Sequence, residues 1–545
     1  MAQNLILKIE GKDDVETAII DSISYKKLFF DYKSVEQEIS ELDLKLQKAG
    51  YIENRVVHSN KINDSTYLTK LNLNKKFYTI YIYYNKNEIP RDVIEQVSEN
   101  VFPEYFITTI EKSEHVLNQI NLKIIENGRP FASLQLTDLK KKDNTNIQGT
   151  LIINNTATRT IDDIVIKGYE KFPKSFLKHF LKIKTKDLFD LNVIRDKTEL
   201  LNALPFANQI KTPEVLFTND SSSLYIYLKK TRSNNFDGFL GFGTNEVSNK
   251  IEFDGYLNLN LRNNLNYGES FNLIYKSDEN EQKTFQVEMD LPYLFGSSIG
   301  SELSLNIFKK DSTFTTVSQR ASLYYQINSR TKLFGGISST QSNSLLANNQ
   351  TNTNINDYTA LFYNVRYQYI KRQARSNLFT TNFLFDVEVG LGERNFEASS
   401  KKQSLLDFDI SKIFNLNSKN SFFIGAKGVI QFSDLFLENE LSRFGGINSI
   451  RGFEENSIPA SLYGLVNIEY RFLLSNSMYI HSITDAAYFE NNLINQKEKL
   501  YGFGFGFGFI TQAGLLKLNY ANGKSENQKF QLSNSKIHIS LNAVF

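Results

Sequence analysis

The spacing of apolar residues divides the chain into two parts with different predicted secondary structure. Up to about residue 230, stretches with apolar residues three and four positions apart alternate with short stretches in which every second residue is apolar. The first spacing predicts amphipathic helices, and the second predicts half-buried strands. From about residue 235 to the end, the helical period disappears and the period of two remains. The sequence therefore predicts an α+β part followed by an all-β part.

The N-terminal part predicts three consecutive β-α-α-β-β units of about 75 residues each. In the first unit, a helix at residues 35–49 separates a strand at residues 5–10 from strands at residues 67–73 and 77–84. Small sheets of this kind have free edges, which we expect to accept an extended client segment through main-chain hydrogen bonds. A role as spacers is the alternative. The predicted units are residues 1–85, 86–157 and 158–230.

The C-terminal part, residues 231–545, predicts sixteen strands of a transmembrane β-barrel. In residues 251–261, for example, Phe253, Leu257 and Leu259 lie on one face, and Asp254 and Asn258 lie on the other. Such alternation suits a wall with lipid on one side and water on the other, and about 20 residues per strand and connection suits strands of this length. An even strand number allows closure without an unpaired edge in lipid. The alternative is a soluble β-sandwich or β-helix, against which the polar inner faces argue, because they could not form a dry core.

Composition supports the barrel interpretation. The chain has 43 Phe and 28 Tyr but a mean hydropathy of −0.35, and it contains no run of 18 apolar residues, so helical membrane spans are not expected. The N-terminus, MAQNLILKIEG, lacks a basic segment followed by an apolar one. A barrel needs a signal peptide to reach its membrane, and we therefore expect this to be a mature or re-engineered start.

Charge and chemistry exclude several functional classes. The 62 basic and 60 acidic residues give a net charge of +2, which does not favour nucleic acid as a partner. Cysteine is absent and the five histidines are scattered, so we expect no disulfide, metal site or cofactor. No catalytic triad, carboxylate pair or phosphate-binding loop is apparent, and we expect that the protein is not an enzyme.

The two ends of the predicted barrel have features that weaken strand pairing. The first strand is short and rich in glycine, and in a closed barrel it must meet the last strand, which ends the chain on an aromatic residue. We predict that this lateral seam is the weakest joint of the wall. The residues assigned to it are Phe236, Gly238, Gly241, Gly243 and Phe545.

A glycine-rich strand near the C-terminus predicts a bare patch on the inner wall. In residues 501–509, YGFGFGFGF, aromatic residues alternate with Gly502, Gly504, Gly506 and Gly508. If the aromatic side chains face lipid, the inner face carries no side chain, and a bulky element can lie against it. A low-complexity aggregation-prone tract is the alternative.

The interval between predicted strands at residues 433–459 is the longest in the barrel and contains the motif RFGGINSIRGF. Long loops in compact domains are usually functional or disordered. We predict that this one folds into the lumen and that Arg451 is paired with a buried carboxylate, either Glu469 or Asp485. An ordinary surface turn with an exposed arginine is the alternative. The motif residues are Arg443, Phe444, Gly445, Gly446, Ile450, Arg451, Gly452 and Phe453.

These residues resemble those of the outer-membrane protein assembly-factor superfamily, the BamA/TamA group and its two-partner secretion relatives. The IRGF sequence around Arg451 resembles the (V/I)RG(F/Y) motif of the sixth extracellular loop, and ITDAAY at residues 483–488 resembles the strand whose aspartate, here Asp485, pairs with that arginine. Ala487 stands where the family usually has glycine. The closing strands, the segment DLPYLFG at residues 290–296 and the entry at residues 236–243 are also similar, and the N-terminal units resemble POTRA domains, the third most clearly. Three such units favour a TamA-like member.

The resemblance implies a Gram-negative outer-membrane protein with POTRA domains in the periplasm. It implies the insertion or translocation of unfolded outer-membrane clients, with the seam opening to template client strands and Phe545 as the chain's own assembly signal. Periplasmic or inner-membrane accessory proteins are expected as further partners of the POTRA domains. The alternatives are a two-partner-type secretion transporter and a passive porin, although a porin explains neither the three repeats nor the loop motif.

Overall fold

The computed structural model describes residues 5–244, 251–277, 282–346, 354–373, 378–397, 399–511, 514–526, 531 and 535–544. The chain forms two compact units. The first contains residues 1–162, 186–193 and 217–222, and the second contains residues 163–185, 194–216 and 223–545. The third predicted N-terminal unit is therefore divided between the two. Among the described residues, no helix has the length and apolarity needed to cross a bilayer.

The first N-terminal domain is a four-stranded sheet covered by two helices. Its helices begin where aspartate side chains accept hydrogen bonds from the first turn: Asp13 from the Glu16 backbone and Asp31 from the Ser34 backbone, both at 2.8 Å. Its strands follow the order β2-β1-β4-β3. The elements are β1 (Leu5–Glu10), α1 (Asp14–Ile23), β2 (Leu28–Phe29), α2 (Tyr32–Lys48), β3 (Arg55–Asn63) and β4 (Thr66–Asn72).

The second domain is a five-stranded sheet in the order β6-β7-β5-β9-β8. Its elements are β5 (Thr79–Tyr84), α3 (Arg91–Glu95), β6 (Asn100–Val101), β7 (Tyr105–Thr109), α4 (Ile110–Glu126), β8 (Ser133–Lys141) and β9 (Asn146–Asn154). The strand β5 was expected in the first unit, but it pairs with β7 and β9, and Phe77 packs in the second core. The predicted seam near residue 85 is therefore wrong, and the domain begins before Phe77. Alternation identifies a strand but not the sheet in which it pairs.

The third domain has a three-stranded sheet in the order β10-β12-β11. Its elements are β10 (Asp163–Lys167), a π-helical turn (Phe176–Phe180), α5 (Leu191–Glu199) with a following 3-10 turn (Leu200–Ala203), β11 (Ala207–Phe217) and β12 (Ser222–Lys230). The helix α5 begins at Leu191 because the Asp190 side chain accepts hydrogen bonds from the backbones of Asn192 and Val193 in its first turn.

Sixteen antiparallel strands of the described chain close into a barrel, as predicted. Each pairs with its neighbour in sequence, and the first pairs with the last. The barrel strands are β13 (Asn235–Thr244), β14 (Ile251–Arg262), β15 (Ser270–Ser277), β16 (Lys283–Leu291), β17 (Ile299–Lys310), β18 (Phe314–Gln326), β19 (Thr331–Ser344), β20 (Tyr358–Arg372), β21 (Thr381–Phe396), β22 (Ser399–Asn415), β23 (Asn420–Phe432), β26 (Leu462–Ser475), β27 (Met478–Asn491), β28 (Gln496–Ile510), β29 (Gly514–Ser525) and β30 (Ser535–Val544). Between β23 and β26, the short strands β24 (Ser442–Phe444) and β25 (Ile458–Ala460) form a separate two-stranded sheet.

The barrel wall has an apolar outer face and a polar inner face. On β20, Tyr363 and Val365 are exposed on the outside, whereas Asn364 between them is buried. On the inner face, Arg366 pairs with Asp386 at 2.6 Å and with Glu302 at 2.9 Å. Charged side chains paired in this way suit a water-containing lumen and not a dry core.

Within the second unit, the third domain contacts two turns of the barrel. The His179 ring nitrogens lie 2.7 Å from the Gly296 carbonyl and 2.8 Å from the Ser298 hydroxyl, and the ring stacks on Tyr293. The Tyr169 hydroxyl accepts a hydrogen bond from Asn263 at 2.7 Å, and burial raises the pKa of this tyrosine. These contacts attach the domain to the β14–β15 and β16–β17 turns.

Candidate functional site

Three glycines in the loop between β23 and β26 have backbone conformations that other residues rarely adopt. Gly445, Gly446 and Gly452 have φ values of 119°, 96° and 91°. A side chain would also meet neighbouring atoms, since a Cβ on Gly446 would overlap Glu455. Asn467 on the wall strand β26 donates to the Ser449 carbonyl at 2.8 Å. The three glycines therefore allow the loop to fold tightly, and the hydrogen bond from Asn467 attaches the folded loop to the barrel wall.

Arg451 is enclosed by the two carboxylates that the sequence proposed as alternatives, and it contacts both. Its Nε and one terminal nitrogen donate to Asp485 at 2.8 and 2.6 Å, and its backbone N–H donates to the same carboxylate at 3.0 Å. The other terminal nitrogen donates to Glu469. Arg451 is 4% exposed, Asp485 1% and Glu469 8%. Burial opposes the guanidinium charge, but the two carboxylates outweigh it and raise the pKa of Arg451 above its ordinary value.

The sequence did not identify the second cation of this cluster. Arg471, two residues after Glu469 on the same face of β26, donates to the other oxygen of Glu469 at 2.7 Å. The period of two could have indicated it, because residues i and i+2 of a strand share a face. With two arginines and two carboxylates, the cluster is internally neutral, which reduces the cost of burying it.

Apolar contacts attach the rest of the motif to the wall. The ring of Phe444 stacks on Tyr463 at 4.5 Å between centroids and meets Phe489 at 5.7 Å, and Ile450 is fully buried in the same cluster. Phe453 packs at its edge. These contacts involve β26, β27 and β28, the same side of the barrel on which the carboxylates lie.

Arg443 lies apart from the carboxylate cluster. Its guanidinium is 5.8 Å from the ring centroids of Phe308 on β17 and Phe314 on β18. A second buried ion pair, which sequence reasoning missed, joins the loop to another strand of the wall: Arg394 on β21 contacts Glu440 at 2.6 Å. The loop is therefore attached to opposite sides of the lumen.

The glycine-rich strand β28 faces the lumen as predicted, but only one of its four glycines contacts the loop. A Cβ on Gly502 would overlap the Arg451 carbonyl. Cβ atoms on the other three would meet the β29 backbone beside Gly504, the His481 ring beside Gly506 and the Tyr479 ring beside Gly508. The proposed loop-facing glycine wall is thus wrong for these three, because neighbouring strands supply the groups that fill their space.

A glycine that the sequence did not single out completes the contact surface. Gly523 on β29 lies against the backbone of Gly452 and the ring of Phe453. It stands alone between Asn522 and Lys524, so no repeated pattern indicated it. Two facing glycines, Gly502 and Gly523, therefore allow the loop backbone to approach the wall closely.

The seam between the first and last strands is the least paired joint in the barrel. In the described backbone, β13 and β30 pair only at Asn235 with Val544 and Phe236 with Ala543, whereas β13 pairs with β14 along its whole length. Gly238 lies in β13 just past the seam pairs, where a Cβ would overlap the β14 backbone. Gly241 and Gly243 lie in the part of β13 that pairs with β14 but not with β30. Phe545 lies outside the described residues.

Comparisons with known proteins agree with this architecture. Residues 159–230 match the POTRA family model, described as "Surface antigen variable number repeat". The structure of CdiB from Acinetobacter baumannii is similar with a TM-score of 0.54 and 15% identity, over 98% of this chain and 99% of that one. CdiB from Escherichia coli gives a TM-score of 0.54 and 12% identity, over 94% and 97%. BamA from Haemophilus ducreyi lacking POTRA domains 1–3 gives 0.49 and 13%, over 85% and 99%. Among curated proteins, none matches.

The two CdiB matches show a shared fold over nearly the whole of each chain. Together with the POTRA match over residues 159–230, they confirm the expected N-terminal α/β domains, the third of them of the POTRA type, followed by a sixteen-stranded barrel. The expected closeness to TamA-like members stays a prediction.

Proposed function

We propose that this protein is an outer-membrane insertase or translocase that assembles β-barrel or autotransporter-type clients at the β13–β30 seam. In this proposal the POTRA domains lie in the periplasm and receive unfolded clients, together with accessory proteins, and the protein has no catalytic step. The observation that carries the proposal is the pairing of β13 and β30 at two positions, next to a neighbouring pair joined along its length. Few main-chain hydrogen bonds have to break for such a joint to open, and opening exposes strand edges with which a client strand can pair.

The absence of cysteine from the chain makes a direct test available. Phe236→Cys with Ala543→Cys places a disulfide across the seam, at a position where the two backbones are paired. A matched control, Leu303→Cys with Ala321→Cys, places one between β17 and β18. The assay is the insertion of an unfolded outer-membrane protein into liposomes that contain the purified variant.

We expect the oxidised seam variant to lose client insertion and to regain it on reduction, whereas the control pair has no effect in either state. Insertion at the wild-type rate through an oxidised seam would contradict the proposal. In cells, depletion of the protein should reduce the level of specific outer-membrane proteins, and the affected proteins identify its clients.

The second candidate is a two-partner-type secretion transporter, which the fold shared with the CdiB structures favours. A passenger that crosses through the lumen does not require the seam to open. Secretion that continues with the oxidised seam, combined with no insertase activity, would therefore support this candidate. A passive porin would instead give a steady, large conductance in single-channel recordings, whereas a lumen that contains a folded loop should give small, flickering currents.

A further inference from the structure

Two adjacent acidic residues at the end of the loop motif contact strands on opposite sides of the seam. Glu454 accepts from the Lys536 ammonium at 2.9 Å, and Lys536 belongs to the last strand, β30. Glu455 accepts from the Lys276 ammonium at 3.1 Å, and Lys276 belongs to β15. Since β15 is joined through β14 to β13, the pair of glutamates connects the two edges that meet at the seam.

The ion pairs lie where the seam has no main-chain ladder. The paired positions of β13 and β30 are at the start of β13 and the end of β30. Lys536 is at the opposite end of β30. Lys276 pairs with Tyr256 on β14, and Tyr256 pairs in turn with Phe239, in the part of β13 that does not pair with β30. The loop thus bridges the section of the joint that the backbone leaves open.

The segment that carries the two glutamates is held in place by contacts immediately before and after it. Just before it, Arg451 is fixed to Asp485 on β27, and Gly452 lies against Gly523 on β29. Just after it, the Asn456 N–H donates to the Gly445 carbonyl. A displacement of β30 away from β15 therefore has to break at least one of the two ion pairs or move the anchored loop.

We propose that Glu454 and Glu455 form an acidic latch that holds the lateral seam closed from inside the lumen. Breaking the two ion pairs of the latch would be the step that regulates opening of the seam. The role of that step in client assembly rests on the proposed function. Both ion pairs are partly exposed to solvent. An ion pair of this kind changes an equilibrium by about two- to fivefold, so loss of both should raise the open population by roughly tenfold.

Amide hydrogen exchange of the purified wild-type protein and its variants tests the latch without a client. Exchange of the amides in residues 235–237 and 542–544 follows the open population of the seam. Glu454→Gln with Glu455→Gln should accelerate this exchange by roughly tenfold. The control is Glu526→Gln, which removes an exposed ion pair between Lys499 on β28 and the residue that follows β29 and should leave seam exchange unchanged.

Charge reversal separates loss of the latch from a general loss of stability. Glu455→Lys should accelerate seam exchange, and Lys276→Glu in the same chain should restore the slow rate. Unchanged exchange in the double glutamine variant, equal acceleration by Glu526→Gln, or failure of the reversed pair to restore the rate would overturn the latch. Because exchange needs no client, a latch can be demonstrated even if the insertion assay fails, and a failed latch leaves the disulfide test of function intact.

Discussion

Replacing Arg451 with alanine would leave two carboxylates inside the barrel with very different surroundings. Glu469 keeps Arg471 at 2.7 Å and borders a lumen cavity of about 870 Å³, so water can reach it. Asp485 does not border that cavity and would keep only the backbone N–H of residue 451. Removing one partner of a buried ion pair costs about 3–5 kcal/mol. We expect the inward position of the loop to be destabilised by about this amount, which corresponds to about two to four orders of magnitude in the released fraction.

Limited proteolysis of the folded, purified protein measures this released fraction, since cleavage within residues 433–459 follows the population of the open loop. Arg366→Ala is the control, because it breaks partly buried ion pairs with Asp386 and Glu302 on the wall without touching the loop. Arg451→Ala with Asp485→Ala should be cleaved more slowly than Arg451→Ala alone, since no buried carboxylate is left unpaired. Cleavage of Arg451→Ala at the wild-type rate would refute the reasoning and would mean that apolar contacts alone hold the loop.

Three further substitutions test other contacts. Gly502→Ala should increase loop cleavage, because the added methyl overlaps the Arg451 carbonyl, whereas Gly335→Ala, with open space around it, should not; equal effects would contradict this. Phe444→Ala should cost about 3–5 kcal/mol of loop stability, measured by the same cleavage, since the ring is buried between two aromatic neighbours. His179→Ala should accelerate hydrogen exchange in the β16–β17 turn by at least fivefold, because two hydrogen bonds are lost; unchanged exchange would show that the turn is ordered without the histidine.

The barrel could be predicted from the sequence because its strands carry their own pattern. Each places apolar residues outward and polar residues inward, and the strand count follows from the repeats of that pattern. The domain boundary near residue 85 could not be predicted in this way. The strand Thr79–Tyr84 alternates equally well for either sheet, and its assignment depends on partners 20 to 70 residues away in sequence.

The candidate site was predictable where charge had to be neutralised. A buried arginine requires a carboxylate, and the inward positions of the following strands offered Glu469 and Asp485. The sequence did not indicate which side chain or backbone group lies against each glycine of β28. The glycines at 504, 506 and 508 looked equivalent to Gly502, yet the Tyr479 and His481 rings occupy the space beside two of them. Which side chains extend over a neighbouring strand depends on the folded barrel wall, and the sequence of a single strand does not indicate it.

The glycine–phenylalanine repeat of β28 also bears on how the last strands find their alignment. A slide of two residues would again put glycine inward and phenylalanine outward, so amphipathic patterning does not distinguish the shifted alignments. The residues at the two ends of the repeat do distinguish these alignments. Sliding one way brings Leu500 to the place of Gly502, against the Arg451 carbonyl, and sliding the other way brings Ile510 to the place of Gly508, against the Tyr479 ring. Correct alignment of the closing strands therefore depends on the infolded loop at one end and on a single aromatic ring at the other.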